Sequence, residues 1–137
     1  MNFPGHNIGG IISSICMGGY IMYSSSNVEL ATISAITTYI FSLYPDMDIR
    51  STSRTILTII GLIGSFILFI INPYFCLLLL GLILFPRLLP HRGFNHSILM
   101  MLICAGIWDY IIPFNVFIPV IAGFSTHLLL DTHFKIV

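Results

Sequence analysis

Residues 55–86 run without one charged side chain, and residues 7–28 do the same. Uninterrupted apolar chain of this length limits the available folds more than any motif, because a bilayer core takes about 20 such residues per helical crossing. Inside lipid the backbone must also satisfy its own hydrogen bonds, which leaves helices as the economical solution. Composition agrees: 57% of residues are hydrophobic and 7% charged, against about 25% charged in soluble domains, and the mean hydropathy is +1.01. An integral membrane protein is expected. No separate soluble domain fits in the remainder, so residues 1–137 read as one domain. The N-terminus lacks the basic stretch of a cleavable signal, with His6 in its place, so the first apolar segment is expected to be retained as a helix.

Polar punctuation divides the chain into about six short spans, near 7–23, 29–44, 55–71, 74–89, 97–112 and 115–131. Ser24-Ser25-Ser26-Asn27 forms one turn, Asn72-Pro73 stops one helix and starts the next, and Pro113 with Asn115 does so again. The predicted fold is all-α, a polytopic membrane bundle. In the first span Gly10, Ser14 and Gly18 recur every four residues, a small-residue strip suited to close helix contact. Cys16, Cys76 and Cys104 are isolated in apolar surroundings and read as packing residues rather than ligands or disulfides.

Counting crossings gathers the polar residues. The N-terminus, the loops near 45–54 and 86–96, and the C-terminus all emerge on one side. That brings His6, Asp46, Asp48, His91, His96, His127, Asp131 and His133 to one membrane face, with Arg50, Arg54, Arg87, Arg92 and Lys135, leaving Glu29 and Asp109 opposite. Concentration of Lys and Arg predicts that this face, and both termini, are cytoplasmic. With zero net charge, the chain lacks the excess of cations that a nucleic-acid surface needs, and nucleic acid is not expected as a partner.

These side chains are those that bind metals. His127 and Asp131 lie four residues apart, on one face of a helix, and a carboxylate in an apolar span needs a partner or a cavity, since its insertion costs about 2.5–3.5 kcal/mol. A plain His-Asp tie at a helix end is the alternative. Asp46 and Asp48 follow Pro45 where a helix ends, a pattern equally compatible with a solvated turn. His91 and His96, five apart, cannot share an ion from within one regular helix. They can if His91 lies in the loop and His96 in the first turn, with Gly93 permitting the bend and Ser97 tying it down. Mixed carboxylate and imidazole ligands without nearby thiolates suit zinc, with manganese or iron as alternatives, and the number of ligands suggests two or more ions. Arg92 is suited to pairing with phosphate oxygens.

Pro4-Gly5-His6, Tyr44-Pro45-Asp46-Met47-Asp48 followed by Ser51, His91-Arg92-Gly93-Phe94-Asn95-His96-Ser97, and Gly123-Phe124-Ser125-Thr126-His127-Leu128-Leu129-Leu130-Asp131 occur in this order. In these blocks the chain resembles the YdjM family, described as LexA-regulated, inner-membrane, metal-dependent hydrolases, over nearly its whole length. The family is in turn similar to the zinc-dependent phospholipase C and single-strand nuclease superfamily. The resemblance implies a bacterial inner-membrane phosphoesterase with His6, Asp46, Asp48, His91, His96, His127 and Asp131 as metal ligands. Ile49 stands where relatives often carry His, and Asn95 where Thr is common. The sequence stops soon after Asp131, before the Thr-Pro-x-Gly segment of longer relatives, so a more open site or a closing partner is expected.

The expected activity is hydrolysis of a phosphoester in a lipid or other amphiphile at the membrane interface by metal-activated water. Asp46, Asp48 and Arg92 are the candidate catalytic residues: the carboxylates to bridge ions or accept a proton, the guanidinium to neutralise phosphate. Further copies in a homo-oligomer are compatible with the sequence. A metal-ion carrier or sensor would use the same ligands, but a transporter's ionisable groups belong near the midplane. A structural subunit held by His-Asp ties leaves the convergence of so many polar groups unexplained.

Overall fold

A computed structural model describes residues 3–48, 52–88 and 94–131; the side chains of Phe3, Pro4 and Asp48 are outside this description. It is all-helical. The elements are α1 (Phe3–Ser25), α2 (Val28–Leu43), a 3-10 turn (Tyr44–Asp48), α3 (Thr52–Ile71), α4 (Pro73–Leu84), a 3-10 turn (Phe85–Leu88), a short 3-10 turn (Phe94–His96), α5 (Ile98–Ile111) and α6 (Phe117–Asp131). Among the described residues, α3 is the one helix long and apolar enough to cross a membrane by length and composition; residues 73–88, α5 and α6 are apolar but shorter.

Local chemistry sets the helix ends. Asn27 accepts from the Leu30 amide to cap α2, and Asn72 accepts from the Tyr74 amide to cap α4, with Pro73 in the first turn, where its missing N–H costs nothing. Ser97 caps α5 by accepting from the Met100 amide. The fourth predicted span ends earlier than 89. Pro86 has no amide to donate to the carbonyl four residues back, and α-helix gives way to 3-10 turn at Phe85. That carbonyl, of Leu82, instead accepts a 2.7 Å hydrogen bond from the Tyr44 hydroxyl.

α2 packs against α1 and α6, α6 also meets α1 and α5, and α3 pairs with α4 as the Asn72-Pro73 turn predicts. Glycines permit close approaches on α2 from both sides. A Cβ at Gly18 would stand 3.0 Å from the Ala35 Cβ, and one at Gly123 would collide with the Thr38 carbonyl. Thr38 also donates to the Pro119 carbonyl at 3.1 Å, so α2 and α6 meet almost backbone to backbone, as small residues allow. The core is built on Phe41, Met47, Met100, Val120, Phe124 and Leu128. By contrast α3 buries only Ser53, Leu57 and Ser65 and turns its isoleucines and phenylalanines outward, which in water would be an unstable surface.

Candidate metal centre

The buried stripe of α6 is Val120, Gly123, Phe124, His127, Leu128 and Asp131, the three-and-four spacing of a core-facing helix. His127 and Asp131 therefore occupy core positions although they are polar. They do so at the end of α6 that meets the start of α1, the turn after α2 and the turn before α5. Those elements supply His6, Asp46 and His96. All five side chains are buried, the imidazoles at 2% exposure or less and the carboxylate residues at 8%.

Their spacing decides how they interact. His6 Nε2 stands 3.2 Å from Asp131 Oδ1; Asp131 Oδ2 lies 3.7 Å from His96 Nε2 and 3.8 Å from His127 Nε2. Asp46 Oδ1 is 3.5 Å from His127 Nε2 and 4.0 Å from His96 Nε2. Most of these separations exceed the hydrogen-bond range of about 2.7–3.2 Å. They match the edge of a coordination tetrahedron, since nitrogen and oxygen ligands at about 2.0–2.2 Å from one ion stand about 3.4 Å from each other. The rings of His6 and His127 stack with centroids 4.1 Å apart and 12° between planes, and His96 meets His127 edge-on.

His127 is the hinge of the cluster. Its Nδ1 lies 2.9 Å from the Ser42 carbonyl oxygen, which can only accept, so Nδ1 carries the proton and Nε2 presents a lone pair. Nε2 is buried without a hydrogen-bond partner and faces both carboxylates. A histidine held through one nitrogen by a backbone carbonyl while the other is aimed at acidic groups has the arrangement of a metal ligand. Two overlapping triads can hold a metal ion: His6, His127 and Asp131, and Asp46, His96 and His127. One Nε2 lone pair serves one ion, so the triads share His127 rather than each owning it. Asp131, with Oδ1 towards His6 and Oδ2 towards the other rings, is the group able to span both.

Of the seven residues expected as ligands, the structure brings together His6, Asp46, His96, His127 and Asp131. The Asp48 side chain, His91 and Arg92 lie outside the described residues, as do Arg50, His133 and Lys135. Sequence reasoning missed the Ser42 carbonyl that orients His127, because a backbone acceptor leaves no mark on residue type. The faint signal was the run of small polar residues on α2, Ser34, Thr37, Thr38 and Ser42, all buried against their neighbours. It also missed that Asn95 is a brace: its Nδ2 donates to the Pro86 carbonyl at 2.9 Å, tying the turn that carries His96 to the turn after α4. Ser97 takes the tying role expected of it, donating to the Phe94 carbonyl at 2.7 Å.

A family model described as YdjM inner membrane protein matches residues 1–136. The chain belongs to this family. Membership supports an inner-membrane location, and the outward apolar face of α3 is the surface such a location requires. No curated protein matches the chain. No solved structure matches it either.

Proposed function

We propose that the chain is a membrane-embedded, metal-dependent hydrolase that cleaves a phosphoester of a lipid or other amphiphile at the membrane interface. The observation that carries this reading is the His127 Nε2 lone pair, buried without a hydrogen-bond partner between two carboxylates and fixed there by the Ser42 carbonyl. Evenly spaced His and Asp ligands without thiolates favour zinc, with manganese or iron fitting the same donors, and Asp131 suits a site for two ions. A bound divalent metal supplies Lewis-acid polarisation and a water acidic enough to attack near neutral pH.

The residues divide the remaining tasks. His6, His96, His127 and Asp131 hold the metal, and Asp46, facing His127 and His96, is placed to ligate or to accept the proton of the attacking water. Asp48 and Arg92 keep the roles the motif suggests, a second carboxylate and a phosphate-pairing guanidinium. We read the six helices as six short crossings, with the site at the cytoplasmic headgroup level, because the ligands sit at helix ends rather than halfway along them. That position also separates the enzyme from an ion carrier, whose site belongs near the midplane.

The test is bound metal per chain for wild type, Asp46→Ala and His127→Ala in nanodiscs, with turnover of lipid phosphoesters assayed in parallel. Both variants are expected to lose metal and turnover together. Full metal in the wild type with no hydrolysis of any lipid phosphate would favour the carrier or sensor reading; a wild type that binds no metal would sink both.

A further inference from the structure

We propose that the apolar cleft between α2, α3, α4 and α5, with Arg87 at its metal-side end, binds one anionic amphiphile, acyl chain in the cleft and phosphate on the guanidinium. This deepens the phosphoester reading and rests on it for the reaction, though not for the binding.

Leu57, Ile60, Gly61, Leu82 and Ile83 are among the uniformly apolar lining of this narrow, partly open cleft, the kind of wall that an acyl chain packs against. Tyr44 and Met47 also line it. These two residues flank Pro45 and Asp46 on the turn that carries the acidic ligand, so the cleft backs directly onto the metal centre. A chain lodged there brings its polar end to the same end of the bundle as the imidazoles.

Arg87 supplies the charge. It follows Leu82 and Ile83 on the turn after α4, and its Nη2 donates to the Thr58 hydroxyl oxygen, next to Leu57 on α3. The Thr58 hydroxyl donates in turn to the Arg54 carbonyl, which leaves its oxygen to accept from Arg87 and fixes the guanidinium over the α3–α4 seam. Arg87 Nε is buried without a hydrogen-bond partner, and among the described residues no carboxylate pairs with this side chain. A half-buried guanidinium with unused donors at the end of an apolar cleft is a mismatch that an anion resolves, and its planar fork suits phosphate. An arginine that merely anchors a helix at the interface would extend its whole head into water. The Asn95 bond to the Pro86 carbonyl ties Arg87 to the residue before His96, so the phosphate and metal positions are set by one brace.

Trp108, the chain's single tryptophan, lines the same cleft and reports occupancy. An ω-brominated long-chain alkyl phosphate titrated into the full chain in zwitterionic nanodiscs is expected to quench Trp108 saturably. The matching brominated alcohol should bind about tenfold more weakly, the scale of one charge-assisted hydrogen bond. Arg87→Gln should abolish that preference, Arg87→Lys should retain part of it, Arg54→Gln should retain all of it, and Leu57→Phe should weaken both ligands by narrowing the cleft. Bound metal and helical circular dichroism are read on the same samples. Equal affinity for phosphate and alcohol in the wild type, an unchanged preference in Arg87→Gln, or an equal loss in Arg54→Gln from general surface charge would each overturn the proposal. Selective binding without turnover would uphold it while removing the hydrolase reading.

Discussion

The two ends of the helical bundle use the same side chain in opposite ways. At one end Asp109 accepts from the amides of Val116 and Phe117 at 2.8 and 3.0 Å, closing the approach to α6 with its charge answered by backbone. At the other end Asp46 and Asp131 face three imidazoles across gaps mostly too long for hydrogen bonds. Both arrangements place carboxylates at helix ends in an apolar chain. What distinguishes the two ends is what stands near these oxygens: backbone amides in hydrogen-bond contact at one, imidazole nitrogens at coordination spacing at the other.

That contrast can be broken in order of expected effect. Removing the shared ligand in His127→Ala should lower metal affinity by at least about 100-fold, since ligand loss exceeds the 10–100-fold cost of losing an outer-shell partner; equilibrium dialysis measures it, and wild-type affinity would place the ion elsewhere. Acidification comes next. Imidazole ligands bind when neutral, so protons compete with the metal and affinity is expected to fall as pH is lowered, more steeply the more histidines must lose a proton. Gly123→Ala tests the backbone approach: its Cβ collides with the Thr38 carbonyl one turn from His127, and overpacking of about 1–3 kcal/mol should lower the melting temperature and weaken metal binding together. Smallest is Asp109→Ala, expected to cost about 1–2 kcal/mol as a lost cap, seen as reduced thermal stability with metal affinity unchanged. Metal loss in that variant would erase the distinction between the ends.

Much of this architecture was legible in the residues. The Ser24–Asn27 turn and the Asn72-Pro73 stop and start were legible because turn and proline chemistry is local, and the observed helices begin and end close to the expected spans. Pro4 did not stop α1 from starting at Phe3, since a first-turn proline lacks only an amide that has no helical partner. His127 and Asp131 were legible as a pair because four-residue spacing fixes a shared face. Their junction with His6 and Asp46 was legible only through counting crossings, which depends on every span being right. The Ser42 carbonyl, the Asn95 brace and the Arg87 bond to Thr58 were not legible, since each depends on backbone atoms or on contacts between elements distant in sequence.

The bond from Tyr44 to the Leu82 carbonyl has a consequence for the placement of the acidic turn. The acceptor is free because Pro86 cannot use it, and the donor sits two residues before Asp46. The bond therefore couples α4 to the acidic turn, so a shift of the α3–α4 hairpin moves Asp46 relative to the histidines. A substitution on the far side of that hairpin can thus disturb the Asp46 carboxylate without touching any of the five residues of the cluster.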